Sequence, residues 1–305
     1  MDRQQSHSLH ASLTSHGKLY WGVATDAKNL SNPTTTTLIT TNFNQLTPEN
    51  SLKWSSLQPT RGSFTFSTAD SIIAFAQKHN LLIRGHTLLW HRSLPFWVSR
   101  ITNPTELESV IVEHITAVVG RYVGMIYAWD VVNEIFTDVG DLRENHFFKV
   151  LGERYVRLAF QAAREADRGT KLYVNDYFTA KAKILAAVVV IGRWKRDGWE
   201  IDGVGVQGHV SKGEAGRLGW SLEVLGKVVD EVAITELDVV DAGEEEYVEV
   251  VQACLNVPNC VGITSWGVRD SDSWQASMRP LLFDEVGEPK AAYHAVVKCL
   301  CVEAE

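Results

Sequence analysis

Eight short apolar runs recur along the chain, at about residues 19–23, 43–46, 82–88, 127–132, 171–175, 204–207, 232–235 and 261–265. Their lengths and apolar character fit strands buried on both faces, as in a parallel sheet. Segments of helical period lie between them. In the run 69–78, Ile72, Phe75 and Ala76 fall at i, i+3 and i+4. Residues 105–122 follow Pro104 and carry Glu106 and Glu108 in their first turn, which reads as a helix start. Residues 150–167 and 245–255 behave likewise. Strand then helix, repeated eight times, predicts a closed α/β (β/α)8 TIM barrel in a single domain. Residues 188–191, Val-Val-Val-Ile, are unusually β-branched and leave that helix weakly predicted.

Polar residues follow the runs in a consistent way. Glu49, Asn50 and Lys53 follow the second, and His86, Trp90 and His91 come at or after the end of the third. Asn133 and Glu134 follow the fourth, Asn175, Asp176 and Tyr177 the fifth, Gln207 and His209 the sixth. Glu236 and Asp238 follow the seventh, and Trp266 and Trp274 the eighth. The carboxyl rim of a barrel is where such groups converge. Glu134 and Glu236 are too far apart in sequence for a turn or helix to join them. A barrel brings them to one face, and two carboxyls across a cleft are the working parts of a glycosidase.

A net charge of −8 with no dense basic run argues against nucleic acid and anionic membrane as partners. No stretch is long and apolar enough to span a bilayer. The start, Met1-Asp2-Arg3-Gln4-Gln5-Ser6-His7, is polar and lacks the apolar centre of a signal peptide, so the chain is either intracellular or a mature form carrying an added Met1. The sequon Asn29-Leu30-Ser31 fits secretion. Ten Trp is a high count, and flat indole faces suit sugar rings. Trp54, Trp90, Trp97, Trp129, Trp266 and Trp274 stand beside polar residues near strand ends. Cys254 and Cys260 flank a turn-rich stretch that could close a small loop, but spacing alone does not separate a disulfide from two thiols. No cysteine or histidine spacing fits a metal site, and no cofactor is expected. His79, His91 and His114 read as structural or surface residues, and Asp130 as a buried scaffold carboxylate.

The chain resembles glycoside hydrolase family 10, the endo-β-1,4-xylanases, from about His16 to about Val297. The resemblance rests on Leu46-Thr47-Pro48-Glu49-Asn50-Ser51-Leu52-Lys53-Trp54, Arg84-Gly85-His86-Thr87-Leu88-Leu89-Trp90-His91 and Trp129-Asp130-Val131-Val132-Asn133-Glu134. Tyr173-Val174-Asn175-Asp176-Tyr177, Val206-Gln207-Gly208-His209, Ile234-Thr235-Glu236-Leu237-Asp238 and Thr264-Ser265-Trp266 through Trp274 continue it in the family's order. The resemblance implies that Glu134 is the acid/base and Glu236 the nucleophile, that Asn133 holds the sugar 2-hydroxyl, and that His209 and Asp238 orient the nucleophile. Glu49, Asn50, Lys53, His86, Trp90, Gln207, Trp266 and Trp274 match residues lining the glycone side of the cleft. Asn175 and Tyr177 are expected to touch substrate as well. Retention needs one ionised and one protonated carboxyl at the same pH, and His209 with Asp238 would favour charge on Glu236.

The resemblance also implies a disulfide between Cys254 and Cys260, common in fungal members. Cys299 and Cys301 match nothing, and Ser265 stands where the family has an apolar residue. The expectation is therefore a secreted, monomeric retaining endo-xylanase acting on xylan or xylo-oligosaccharides, with residues 16–305 as the catalytic barrel and 1–15 unassigned. The alternatives are a relative retuned to a cellulosic or saponin β-glycoside and a non-catalytic carbohydrate-binding barrel.

Overall fold

The computed structural model describes residues 8–301. Positions 1–7 of the unassigned segment lie outside it, as do 302–305. The barrel strands are β1 (Tyr20–Thr25), β2 (Gln45–Pro48), β3 (Leu82–Trp90), β4 (Ala128–Asn133), β5 (Lys171–Asp176), β6 (Gly203–Val206), β7 (Glu231–Val239) and β8 (Cys260–Ser265). Each pairs in parallel with its sequence neighbours, β6 meeting β7 at Gly203↔Glu231. The circuit closes between β1 and β8 through Tyr20↔Gly262 and Val23↔Ser265. All eight expected runs are strands. β3 and β7 extend further at their carboxyl ends, so Trp90 and Glu236 lie within strands rather than beyond them.

The helices form where burial rewards them. Pro104–Arg121 starts at Asn103, whose side chain accepts from the Glu106 amide at 3.0 Å, and turns Leu107, Val110, Ile111, Ile115 and Val118 inward. Lys181–Arg196 contains the β-branched stretch and is nonetheless helical. Ile184, Ala187, Ile191 and Trp194 fall on one buried stripe, and that burial outweighs weak intrinsic propensity. Before His16, Leu9–Ser15 is a helix capped by Ser8, with Leu9 and Leu13 buried in the core. His16 Nε2 lies 2.8 Å from the Leu300 carbonyl, which ties this end to the last helix, Ala291–Cys301.

Two glycines make room inside the barrel. A Cβ on Gly85 would fall 2.1 Å from the Trp129 ring, and one on Gly205 would fall 2.2 Å from Asn175 Oδ1. Trp129 and Trp54 are core residues rather than rim residues. Trp129 fills the barrel, and Trp54 stacks on the buried His114 ring at 4.0 Å between centroids. Burial lowers the pKa of His114 to about 3, so it packs as a neutral ring. Trp97 packs edge-on against Trp54 and donates from Nε1 to the Gln58 carbonyl at 3.0 Å. Ser265 has a partner as well: its Oγ accepts from the buried Trp21 Nε1 at 3.1 Å. Cys254 and Cys260 are joined as a disulfide, while Cys299 and Cys301 are free thiols.

Candidate active site

β4 delivers Asn133 as its last residue, and Glu134 follows with φ of 55°. A non-glycine residue in the left-handed region costs about 1–2 kcal/mol, so surrounding contacts must hold it there. The Glu134 amide donates to the Asn175 carbonyl at 2.9 Å, and its carbonyl accepts from Arg143 Nε at 2.9 Å. Glu236 comes from the carboxyl-terminal part of β7. Both side chains face one cleft of about 510 Å³ and are mostly withdrawn from solvent, at 9% and 5% exposure of the residue.

A run of amides connects the two carboxyls. Asn175 Nδ2 donates to Glu236 Oε1 at 2.7 Å and to Asn133 Oδ1 at 2.9 Å. Gln207 Nε2 lies 3.3 Å from Asn133 Oδ1 and 3.4 Å from Glu134 Oε1. Thr235 Oγ1 donates to Asn175 Oδ1 at 2.6 Å, which fixes the amide's orientation. Asn175 was expected to touch substrate, but the geometry differs. It is fully buried, absent from the cleft lining, and its amide hydrogens are spent on Glu236 and Asn133.

Glu236 stands between two histidines. A two-residue strand, His209–Val210, pairs with β7 so that His209 opposes Asp238. His209 Nε2 lies 3.2 Å from Glu236 Oε2 and its Nδ1 lies 2.9 Å from Asp238 Oδ1. Burial would lower the His209 pKa, but hydrogen bonds to Asp238 and Glu236 outweigh it and raise it to about 10. Burial likewise works against charge on Glu236. The His209 hydrogen bond and the nearness of His86 and His209 overcome it and hold the carboxyl below its usual range. Asp238 is outside the cleft lining and also accepts from Trp274 Nε1 at 2.8 Å. On the other side His86 Nδ1 lies 3.9 Å from Glu236 Oε1 and 2.9 Å from Asp130 Oδ2. Asp130 also pairs with the buried Arg84, in keeping with a scaffold role.

The remaining expected residues line the cleft: Glu49, Asn50, Lys53, Trp90, Tyr177, Gln207, Trp266 and Trp274. Lys53 Nζ donates to Asn50 Oδ1 at 2.9 Å and lies 4.9 Å from the Trp90 ring centre. Burial raises the Glu49 pKa, and Asp26 adds to it. Burial lowers that of Lys53, against the pull of Glu236, Glu49, Asp26 and Glu134. Trp274 is 60% exposed and presents an indole face at the mouth, anchored through its Nε1. Arg92, Arg143 and Thr179 also line the cleft, although the strand-end pattern did not include them, and so does His91, which stands in that pattern but was read as structural or surface. Asp26, which accepts from the Asn50 backbone and side chain at 3.1 and 2.7 Å, was missed as well, because no local pattern marks a residue that acts through another.

Beneath Glu134, Asp176 and Lys183 form a fully buried ion pair at 2.8 Å. Burial raises the Asp176 pKa to about 6 against the effect of Lys183. Asp176 Oδ2 also accepts from the Phe136 amide at 3.0 Å. Among the described residues no group of histidine, cysteine and carboxylate side chains is arranged to hold a metal.

A closed (β/α)8 barrel with two carboxyls in unlike surroundings at its carboxyl rim defines a barrel glycosidase. The chain belongs to glycosyl hydrolase family 10, whose sequence profile matches residues 8–299. It is 47% identical to endo-1,4-beta-xylanase 2 of Claviceps purpurea over 293 residues, covering 95% of this chain and 90% of that one. It is 46% identical to endo-1,4-beta-xylanase 3 of Hypocrea jecorina, covering 98% and 87%. Among solved structures, xylanase 10B from Thermotoga petrophila in complex with xylobiose superposes with a TM-score of 0.92 at 31% identity, covering 98% of each chain.

Proposed function

We propose that this chain is a retaining endo-1,4-β-xylanase that cleaves xylan and xylo-oligosaccharides. The observation that carries the reading is Glu236, a buried carboxyl held below its usual pKa by His209 and hydrogen-bonded by Asn175, in one cleft with Glu134. Glu236 is the nucleophile: it attacks the anomeric carbon, and the leaving oxygen takes the proton of Glu134 as the glycosidic bond breaks. Water then attacks the glycosyl ester, gives its proton to Glu134 and releases Glu236. Asn133 accepts from Asn175 and Gln207 through its oxygen, so its NH2 is available to a sugar hydroxyl. Trp90, Trp266 and Trp274 offer flat faces to the sugar rings, with Glu49, Asn50, Lys53 and His86 as polar contacts. The xylanase names of its relatives favour xylan over a retuned β-glycoside specificity or a non-catalytic barrel.

A monomeric, secreted protein completes the reading. The disulfide suits an oxidising compartment, and no described helix is long and apolar enough to cross a membrane. The test is hydrolysis of xylan followed by proton NMR. The first product is expected as the β-anomer, with carboxyl groups about 5–5.5 Å apart. An α-anomer first, or no cleavage of xylan beside cleavage of another β-glycoside, would overturn the reading.

A further inference from the structure

The turn after β4 is held by one guanidinium. Arg143 Nε donates to the Glu134 carbonyl at 2.9 Å, and its Nη2 donates to the Phe136 carbonyl and to the Tyr177 hydroxyl, each at 3.0 Å. The Arg143 amide donates to the Ile135 carbonyl at 2.7 Å. Residues 134, 135 and 136 are therefore all tied to a single side chain and its own backbone. The left-handed φ of Glu134 lies within this grip. From beneath, the buried pair of Asp176 and Lys183 fixes the Phe136 amide. Above, Arg143 is half-buried and lines the cleft.

We propose that Arg143 is the positioning residue of the acid/base. By fixing the backbone rotation at Glu134 it aims that carboxyl at the leaving oxygen, and it also holds the Tyr177 hydroxyl at the cleft wall. The inference rests on the roles assigned above to Glu134 and Glu236. A guanidinium suits the task because its fork reaches diverging acceptors in one plane, whereas a lysine ammonium offers one point of attachment. The chemistry is that of the two proton transfers already described. Glu134 gives its proton to the glycosidic oxygen as the carbon–oxygen bond breaks, and later takes one from the attacking water. A displaced carboxyl slows both transfers and leaves the attack of Glu236 intact.

The experiment compares wild type, Arg143→Ala and Arg143→Lys on xylan and on 2,4-dinitrophenyl β-xylobioside, with the rapid release of dinitrophenolate measured separately from steady state. Dinitrophenolate departs without a proton. Its burst rate is expected to stay within about threefold of wild type in Arg143→Ala, while kcat on xylan falls about 10–100-fold and KM stays within about twofold. Azide should speed steady-state turnover of the activated substrate, since it attacks the glycosyl ester without needing a base. Millimolar guanidinium ion should restore part of the xylan turnover of Arg143→Ala and none to wild type. Equal loss on both substrates would overturn the proposal in favour of a general brace. A raised KM with kcat kept would overturn it in favour of direct substrate binding, and variants as active as wild type would overturn it outright. Where Arg143→Ala does not give the wild-type circular dichroism spectrum, Arg143→Lys carries the same comparison. Wild type inert on both substrates would sink the functional reading itself, an outcome distinct from failure of the Arg143 inference.

Discussion

Glu236 is met by Asn175 at 2.7 Å on one oxygen and by His209 at 3.2 Å on the other, whereas Glu134 is met by Gln207 at 3.4 Å. The first set of contacts stabilises an anion, and the second is a single long amide contact. Replacing each glutamate by alanine should separate the roles. Glu236→Ala is expected to lose turnover of every substrate. Glu134→Ala is expected to lose about 10²–10⁴-fold on xylan, whose leaving group is a sugar alcohol, and far less in the release of an acidic phenol. The ester on Glu236 should then accumulate, and azide should speed its breakdown. Steady-state kinetics of both variants on xylan and on an activated aryl xyloside, with and without azide, check this. Equal losses on both substrates in both variants would overturn the assignment. At this scale the sequence exposed most of the residues that reach the cleft, because they stand at or after the end of a strand-like run. It did not expose Asp26 or Arg143, which act through the backbone or side chain of another residue.

At the scale of elements, capping and burial decide more than propensity does. The helix Pro104–Arg121 has its start written locally: Asn103 as cap, Pro104 in the first turn and the Glu106 amide donating to the cap's side-chain oxygen. Asn103→Ala should cost about 1 kcal/mol of stability, read as a lower urea midpoint at unchanged slope, with kcat/KM on xylan unaltered. No change in midpoint would show that the first turn is held by tertiary contacts alone. The helix Lys181–Arg196 is the opposite case. Its valines argue against a helix locally, and the buried stripe from Ile184 to Trp194 imposes one. Lys183 on that stripe reaches Asp176, so the element whose pattern was weakest in the sequence also braces the floor beneath Glu134.

The whole molecule couples the site to its stability through proton linkage. His209 has a folded pKa of about 10 against an ordinary value of 6.5. Its stabilising contribution is therefore fully present below about pH 6.5 and is lost as pH rises through about 10. Glu236 has the opposite sign: its pKa is lowered, so its contribution is present above the ordinary carboxyl range and is lost as pH falls through the lowered value. Thermal unfolding of wild type should show stability falling on the alkaline side between those values. His209→Gln should flatten that alkaline slope, and an unchanged slope would mean that His209 does not carry the titration. Closure of the barrel also draws the first and last described helices together. The helix Leu9–Ser15 packs into the core, and His16 meets Leu300.

The sequence by itself determined the eight strands, their order, the closed barrel and the residues that stand at strand ends, because period and burial of a parallel strand are local properties of the chain. It also contained the paired glutamates, although not their distance in space. Only the tertiary structure decided which Trp fill the core and which line the cleft: Trp54 and Trp129 are enclosed in the core, whereas Trp90, Trp266 and Trp274 line the cleft. It alone withdrew Asn175 from the cleft and made it a link between Glu236 and Asn133. It alone set the charge on His209, through contacts to carboxylates on a neighbouring strand. These are properties of side chains brought together from distant strands. Their distances, and the water excluded between them, exist only once the barrel is closed.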